Sequence, residues 1–223
     1  MIERLIPNVI RYHESLIKAT GDTLIMVAVS SVIALILGSI VGILIVITQK
    51  GHILENPGLN NIICRIVDLV RSMPFVILIT LFLPITRLIV GTSIGVKGAT
   101  VPMILAIIPF VARQIEQAIT EVNPGVIEAA ESMGLSKRVI IFRIMLKEAR
   151  AGVIRAVIIS IISLLNLSAM AGTVGGGGLG DFAIRYGYGQ YMTDITIVTV
   201  LILLVLVTIV QGGGALLIKK ITH

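Results

Sequence analysis

The segment from Asn123 to Arg150, NPGVIEAAESMGLSKRVIIFRIMLKEAR, is the longest charged stretch of an otherwise mostly apolar sequence. Asn123 can cap a helix that Pro124 starts, because proline tolerates the first helical position. Gly134 can end that helix, since glycine adopts the left-handed conformation without steric penalty. Ser136 can then cap a second helix. Two short helices that meet at a glycine, set between membrane spans, predict a docking surface.

Each of the two helices has a distinct side-chain pattern. The first carries apolar residues at i, i+3, i+4 and i+7, the spacing of one face of an amphipathic helix. The second carries a basic polar side. The apolar residues of the first helix are Val126, Ala129, Ala130 and Met133, and the basic residues of the second are Lys137, Arg138, Arg143, Lys147 and Arg150.

The composition predicts a membrane protein. Of the 223 residues 56% are hydrophobic and 13% charged, which leaves room for about five spans of ~20 residues. The net charge of +6 comes from residues spread through short loops. Because no basic patch is interleaved with aromatic residues, we expect no nucleic-acid partner. One cysteine, Cys64, and three scattered histidines disfavour an intrachain disulfide and a metal site.

The apolar segments predict an all-α integral membrane protein with five transmembrane helices. The charged loop 123–147 lies between the third and the fourth. Residues 1–18 alternate charged and apolar positions, which is typical of an amphipathic interfacial segment and not of a cleavable signal; a frayed tail remains the alternative. Residues 19–218 form the predicted transmembrane domain. Its spans cover about 23–48, 66–86, 96–117, 151–174 and 194–218.

Several residues within the spans suggest local structure. Pro74 and Pro84 are expected to kink the second span. Its front carries Arg65, Asp68 and Arg71 three residues apart, so that the acid can neutralise its neighbours on one helical face. In the first span, Gly38 and Gly42 form a small-xxx-small pattern that allows close helix approach, although glycine is also common in membrane helices generally.

The distribution of basic residues predicts the orientation. With five spans, the charged loop and the C-terminus fall on one side of the membrane, together with twelve of the eighteen Lys and Arg residues. The positive-inside rule assigns that side to the cytoplasm and the N-terminus to the outside. The charges of the N-terminal segment, among them Arg4, Arg11 and Lys18, run against this assignment.

A glycine-rich block follows the fourth span. The string from Gly175 to Gly180 matches a dinucleotide-binding fingerprint, but it follows an apolar helix and has no βαβ unit around it. It also lacks the Lys-Ser/Thr of a phosphate-binding loop, so we expect no nucleotide site in this chain. We interpret it as a structural turn that brings backbone close to a pore or a helix; a flexible outer loop is the alternative. Its glycines are Gly175, Gly176, Gly177, Gly178 and Gly180.

The fourth span also carries polar and flexible residues at depth, namely Asn166, Ser168 and Met170. Polar groups there are costly unless they face a cavity or a neighbouring helix, so they indicate either a translocation path or interhelical hydrogen bonds. No acid–base pair or nucleophilic constellation supports an intramembrane enzyme. A membrane chain with a docking surface and no energy source of its own suggests a transport subunit driven by a partner.

The docking segment resembles a known motif. Glu128-Ala-Ala-x-x-x-Gly134, nine further residues and then Ile144-x-Leu146 resemble the E-A-A loop of bacterial binding-protein-dependent ABC importer permeases. That family usually has proline where this chain has Lys147, which leaves the second helix free to continue. Across residues 20–218, further segments resemble the methionine-uptake branch of the family. They are Arg71–Phe75, Val90–Gly95, Pro109–Arg113 and Ser168–Gly180.

The resemblance implies a type I ABC importer permease in the bacterial cytoplasmic (inner) membrane. Such a complex contains a second copy of the permease, two ATP-binding subunits on the cytoplasmic face and an external substrate-binding lipoprotein that delivers methionine. ATP and Mg would lie on the partner ATPase, so we expect no cofactor and no enzymatic activity in this chain. The implied ATPase-coupling residues are Glu128, Ala129, Ala130, Met133, Gly134 and Leu135, and the implied gate is Met170, with Ser168 and Asn166 beside it.

Two other functions remain compatible with the sequence. One is a permease of the same architecture for another amino acid or a small organic ion. The other is a channel or membrane-scaffold protein, which would work without an ATPase.

Overall fold

The computed structural model describes residues 5–222, and this part of the chain is helical and contains no β-strand. Two segments adopt the wider π-helical geometry, Ile140–Met145 and Ala183–Tyr188. The α-helices are α1 Pro7–Arg11, α2 His13–Thr48, α3 Pro57–Ser72, α4 Phe75–Val90, α5 Gly95–Thr120, α6 Pro124–Ser132, α7 Lys137–Val139, α8 Leu146–Glu148, α9 Arg150–Gly172, α10 Gly178–Phe182 and α11 Thr193–Thr222.

Four of these helices, α2, α5, α9 and α11, are long and apolar enough to cross a membrane. The pair α3 and α4 passes the same test together but is bent by 113° at its break, as a broken span or a re-entrant loop would be. The described residues therefore contain four spans, or five if this pair counts as one. The predicted all-α membrane fold is confirmed.

The predicted second span, 66–86, is divided in the structure. Its front belongs to α3, which starts at Pro57, and its rear belongs to α4, which continues to Val90. The helix breaks just before Pro74, because the residue that precedes a proline is driven out of the helical conformation. In contrast, α4 continues through Pro84. Residues 91–94 separate α4 from α5.

Part of the predicted N-terminal segment, 1–18, and the predicted first span share one helix in the structure. Helix α2 begins at His13 and runs without interruption through Lys18 and Asp22 into the apolar span. Residues 1–4 of the predicted interfacial segment lie outside the described residues. The charged end of α2 is therefore a helical extension of the span.

The chain forms two compact units. We call unit 1 the described residues of 1–33, 73–106 and 161–211, and unit 2 those of 34–72, 107–160 and 212–222. Each is described separately below.

Polar contacts tie the helix ends together in unit 1. The carboxylate of Asp194, at the start of α11, accepts hydrogen bonds from the backbone N–H of Asn8 at 2.9 Å and from its side-chain amide at 3.0 Å. The backbone N–H of Leu179 donates to the hydroxyl of Thr23 at 2.8 Å. Beneath these contacts lies a core of Val9, Leu16, Ala19, Leu179, Phe182 and Ile195.

Unit 2 depends on close helix packing. A Cβ atom added to Gly38 would lie 2.6 Å from Cβ of Val111, and one added to Gly42 would lie 2.6 Å from the carbonyl oxygen of Ala112. Only glycine at these positions lets α2 approach α5 so closely, which confirms the interpretation of the small-xxx-small pattern. The side-chain amide of Asn60 also donates to the carbonyl of Ile45 at 2.7 Å, near the end of α2.

Candidate functional site

Helix α6 begins as the sequence predicts. The side-chain oxygen of Asn123 accepts a hydrogen bond from the backbone N–H of Gly125 at 2.9 Å, and Pro124 occupies the first helical position. The cap satisfies one of the donors that every helix start leaves free, and the proline has no N–H to satisfy. The entry into α6 is therefore well defined.

The end of α6 is a Schellman motif. Gly134 has φ +73°, the backbone N–H of Leu135 donates to the carbonyl of Ala130 at 3.2 Å, and that of Gly134 donates to Glu131 at 2.9 Å. These two bonds satisfy carbonyls that the helix end would leave unpaired. A Cβ atom on Gly134 would meet nothing within 4 Å, so the requirement for glycine is conformational.

The four predicted apolar residues of α6 divide between inside and outside. Ala130 is 1% exposed, on a helix that packs against the π-helical segment Ile140–Met145. Met133 is 70% exposed, and Ala129 is exposed as well. A short helix with its small residue inside and apolar side chains outside presents a surface suited to a partner. We give five of the exposed residues the name coupling surface: Val126, Glu128, Ala129, Met133 and Leu135.

The second predicted helix is present but not regular. It starts after Ser136, whose side chain makes no capping hydrogen bond, and changes to π-helical geometry at Ile140. It then continues through Lys147, as the replacement of the family proline led us to expect, and is interrupted only at Ala149. Ile140 and Met145 are fully buried and hold this segment in place.

A cavity of about 200 Å³ lies beside α6 within unit 2. The loop that follows α2 forms one wall with His52, and α6 forms another with Glu128 and Glu131. Two carboxylates in the lining of a partly apolar cavity favour a basic group as its occupant. The composition of this cavity was not predictable from the sequence, since the loop and α6 are about seventy residues apart.

A charge network fixes α3 against α5 in unit 2. The guanidinium of Arg113 donates to both carboxylate oxygens of Asp68 at 2.8 Å and to Glu116 at 2.6 Å. The side-chain amide of Gln49 donates to the other oxygen of Glu116 at 3.1 Å. The expected neutralisation of Asp68 by its helical neighbours is therefore wrong: the ion pair of Asp68 reaches a different helix. Spacing along one helix could not identify that partner.

The predicted gate residues on α9 separate into two groups in unit 1. Asn166 and Met170 are both exposed, one helical turn apart on the same face, with Met170 42% exposed. Ser168 is 1% exposed, and its hydroxyl donates to the carbonyl of Leu165 in its own helix at 2.7 Å. The structure therefore groups Asn166 with Met170 and turns Ser168 away from them.

The glycine-rich block is a tight turn. The backbone N–H of Gly176 donates to the carbonyl of Ala171 at 2.9 Å, and that of Gly95 donates to Gly175 at 3.0 Å. Positive φ angles occur at Gly175, Gly177 and Gly178. A Cβ atom added to Gly180 would overlap the backbone of Ala169. The block thus brings backbone against backbone, in the geometry of a tight structural turn.

Among residues 5–222, no group of three or more His, Cys, Asp or Glu side chains is arranged to hold a metal ion.

Comparison with known proteins gives a family. Residues 34–223 match the family described as "Binding-protein-dependent transport system inner membrane component". The chain is 46% identical to the "Probable D-methionine transport system permease protein MetI" of Vibrio cholerae, over 93% of this chain and 92% of that protein. It is 38% identical to the "Methionine import system permease protein MetP" of Bacillus subtilis, over 95% and 94%.

Solved structures agree with this comparison. The fold superposes on a chain of the MetNI methionine ABC transporter in inward-facing conformations with a TM-score of 0.93 and 37% sequence identity, covering 96% of this chain and 99% of that one. An amino acid ABC transporter shares the fold at a TM-score of 0.79 and 17% identity. The chain belongs to the family of inner membrane components of binding-protein-dependent transport systems, and is a multi-pass protein of the inner membrane.

Proposed function

We propose that the chain is the transmembrane permease subunit of an ATP-driven importer that carries methionine across the cytoplasmic membrane by alternating access. The observation that carries the proposal is the coupling surface: a short helix, capped at both ends, that keeps apolar side chains in solvent. Relatives at 38–46% identity bear methionine-transport names, which supports methionine as the cargo.

The proposed assembly has four kinds of component. A second copy of this chain completes the permease, and two ATP-binding subunits dock on the cytoplasmic face. An external substrate-binding lipoprotein delivers methionine, and membrane lipid surrounds the spans. ATP and Mg belong to the partner, and this chain itself catalyses no reaction. The homologous methionine ABC transporter supports the presence of a separate ATP-binding partner.

In this proposal the coupling surface sits in a groove of the ATP-binding subunit. Met133 supplies most of the apolar contact, because its side chain is 70% exposed and flexible enough to fit an irregular groove. Ala129 keeps the approach close, and Gly134 and Leu135 end the helix so that it fits as a short rod. Ala130 contributes from inside, since it anchors α6 to the permease.

The cavity beside α6 gives the partner a second point of attachment. Glu128 and Glu131 would receive a basic side chain from the ATP-binding subunit, in a cavity of about 200 Å³ that accommodates one long side chain. A charge pair at the edge of an apolar contact fixes its orientation more than it adds affinity. The apolar residues would therefore supply the affinity and the carboxylates the orientation.

The transport path is proposed to run along the exposed face of α9. Met170 would act as an apolar gate and Asn166, one turn before it, as a polar contact in the path. Ser168 is left out of this proposed gate because its hydroxyl bonds to its own helix. The glycine turn that follows, at Gly175–Gly180, would hold the outer end of α9 rigidly while the gate side chain moves.

The orientation of the chain in the membrane follows from the proposed docking of α6 on the ATP-binding subunit. If α6 meets an ATP-binding subunit, unit 2 faces the cytoplasm, with the C-terminus on that side and the N-terminus outside. ATP-driven closure of the partner dimer would then draw the cytoplasmic ends of the spans together and open the opposite side, a rigid-body form of alternating access.

Uptake by the reconstituted complex tests the proposal. We expect ATP-dependent accumulation of labelled methionine in proteoliposomes that contain this chain, the ATP-binding subunit and the binding lipoprotein, and competition by unlabelled methionine. Competition by another amino acid alone would reassign the cargo while leaving the architecture intact. Flux that is independent of the ATP-binding subunit would indicate a channel instead.

A further inference from the structure

A second cavity, within unit 1, contains an unusual balance of charges. It has a volume of about 290 Å³ and lies between the start of α2 and the segment that follows the glycine turn. Two basic and two acidic side chains line it: Lys18 and Asp22 from α2, and Asp181 and Arg185 from the segment after the turn. This cavity plays no part in the proposed coupling or gating.

The two pairs of charges are not equally satisfied. Asp181 and Arg185 form an ion pair at 2.8 Å across one helical turn. Lys18 and Asp22 are also one turn apart, yet neither makes an ion pair or a side-chain hydrogen bond with any residue from 5 to 222. Asp22 is only partly exposed. A carboxylate removed in part from water needs a positive partner.

The position of the cavity along α2 shows what surrounds it. Lys18 and Asp22 immediately precede Thr23–Thr48, which carries no charge and is long enough to cross the bilayer. On the same helix Ile17 is 69% exposed and Ile25 is 55% exposed, so apolar side chains point outward beside the charges. The cavity therefore lies at one boundary of the bilayer, at the depth of the lipid headgroups.

The tyrosines support this depth. The chain has four, and all of them lie in unit 1, next to the cavity or shortly after it in sequence. Tyr186 lines the cavity and packs at a tilt against Tyr12, with 4.7 Å between the ring centroids, and Tyr188 and Tyr191 are largely exposed. Tyrosine is enriched at membrane–water interfaces because its ring is apolar and its hydroxyl polar.

We infer that this cavity binds the headgroup of a zwitterionic phospholipid that carries a primary ammonium, phosphatidylethanolamine being the simplest such lipid. Lys18 and Arg185 bind the phosphate, and Asp22 accepts hydrogen bonds from the ammonium. The hydroxyls of Ser15 and Tyr186, which make no hydrogen bond within residues 5–222, are further donors to the phosphate. The acyl chains lie along the exposed apolar side chains of α2.

The same charges would suit the zwitterion of a free amino acid, and the lipid is favoured by the location. A lipid headgroup is held at this depth by its own acyl chains, so its local concentration is high without any delivery step. The inference rests on the charges that line the cavity and on its placement in the membrane, and not on the cargo. Failure of methionine uptake would leave it unaffected.

Native mass spectrometry of the purified full-length chain, with its co-purifying partners, measures the binding of three lipids. Phosphatidylethanolamine is expected to bind about tenfold more tightly than phosphatidylcholine, because the quaternary ammonium of phosphatidylcholine has no N–H to donate to Asp22. Phosphatidylglycerol, which lacks an ammonium, is expected to bind more weakly than phosphatidylethanolamine. Equal or tighter binding of phosphatidylglycerol overturns the assignment.

Variants locate the site. Asp22→Asn should remove the preference for phosphatidylethanolamine over phosphatidylcholine, and Lys18→Gln should weaken both lipids. The matched controls are Glu14→Gln, one turn before Lys18 on α2, and Lys97→Gln elsewhere in unit 1. Neither residue lines the cavity. Both variants should therefore bind the lipids as the unaltered chain does. A thermal melting curve for each variant establishes that it is folded. Unchanged lipid preference in a folded Asp22→Asn variant contradicts the inference.

Water-soluble probes separate the lipid from a free amino acid. Free phosphoethanolamine should compete with the lipid, and free methionine and glycine should not. If a free amino acid binds lipid-depleted protein in a manner that depends on Asp22, and phosphatidylethanolamine does not, the cavity is an amino-acid site and the lipid assignment is wrong.

Discussion

Gly134 and Gly180 occupy opposite environments. At Gly134 a Cβ atom would meet nothing within 4 Å, but φ is +73°, so glycine is needed for its conformation. At Gly180 φ is ordinary for a helix, but a Cβ atom would overlap the backbone of Ala169. One glycine shapes a helix end that stays exposed, and the other lets two backbone segments touch.

The contrast separates a surface from a framework. Around Gly134 the chain leaves apolar side chains uncovered, as a region that binds another protein does. Around Gly180 it packs backbone on backbone, as a region that must remain rigid does. The sequence alone shows that both regions contain glycine, but it does not show whether glycine is needed for its conformation or for its small size. Substitutions that differ in size and in backbone preference distinguish these two requirements.

Gly180→Ala should have the largest effect. The added methyl group has no space and meets backbone, which cannot rotate aside, so we expect a loss of about 3 kcal/mol of stability and poor recovery of folded protein. Thermal unfolding in detergent measures it. The control is Gly213→Ala on α11, where a Cβ atom meets nothing within 4 Å. There alanine should be neutral or stabilise the helix by up to about 1 kcal/mol. Equal melting temperatures for the two variants would contradict the packing argument.

Met133→Asp should leave the fold intact and remove partner binding. Met133 is 70% exposed, so a carboxylate there is solvated in the free chain, but it would have to lose water in an apolar groove. We expect about thirtyfold weaker co-purification with the ATP-binding subunit, the size of a typical interface hot spot. Met133→Leu keeps an apolar contact and should bind nearly normally. Normal binding by the aspartate variant would remove Met133 from the coupling surface.

Gly134→Val should weaken docking on the ATP-binding subunit because valine disfavours the backbone conformation of residue 134. Holding a β-branched residue at φ +73° costs about 1–2 kcal/mol of conformational energy. If docking requires that conformation, the affinity for the ATP-binding subunit should fall about tenfold; otherwise the end of α6 shifts. Asparagine tolerates the left-handed conformation, so Gly134→Asn should retain most of the uptake and most of the ATPase stimulation. If asparagine and valine are equally harmful, the space around Gly134 is filled by a partner, and its conformation is not the limiting factor.

Met170→Ala should open a leak. Removal of a flexible apolar side chain from the proposed gate should lower the free energy that favours the closed state by about 1 kcal/mol. We expect about fivefold more leak of a small solute from vesicles, or a comparable rise in basal ATP hydrolysis. Ser168→Ala is the internal comparison, because that hydroxyl bonds to its own helix and should not influence leak. A leak in Ser168→Ala but not in Met170→Ala would reverse the proposed gate.

Asp68→Asn should have the smallest effect. Asp68 is 59% exposed and Arg113 20% exposed, so solvent screens their ion pair and its loss should cost about 1 kcal/mol or less. Melting temperature measures the change. The more exposed pair of Glu121 with Arg155, at 3.4 Å, provides the control, and Glu121→Gln should have no measurable effect. A cost above about 3 kcal/mol would mean that the Arg113 network is buried by a partner.

The sequence predicts features that depend on neighbours along the chain. Asn123, Pro124 and Gly134 define α6 because caps and breaks are local, and uncharged runs define the spans because the bilayer sets their length. The caps and the break of α6 agree with the structure, as does the all-α membrane fold, whereas the predicted second span is divided between α3 and α4. The cargo and the partners enter through resemblance, since no residue pattern in the chain encodes them.

The features that escape the sequence depend on residues far apart. The partner of Asp68 is on another helix, the cavity beside α6 needs the loop at His52, and the orientation of Ser168 depends on the packing of α9. Long-range packing decided each of these.

Site-specific cross-linking tests the central claim, that α6 docks on an ATP-binding partner while the exposed face of α9 lines a transport path that the second copy of this chain completes. Met133→Cys and Met170→Cys are introduced separately into a Cys64→Ser background, which removes the one native thiol. In membranes that contain the whole complex, we expect position 133 to cross-link to the ATP-binding subunit and position 170 to cross-link to the second copy of this chain. A cross-link from position 170 to the ATP-binding subunit, with none from position 133, would contradict the account.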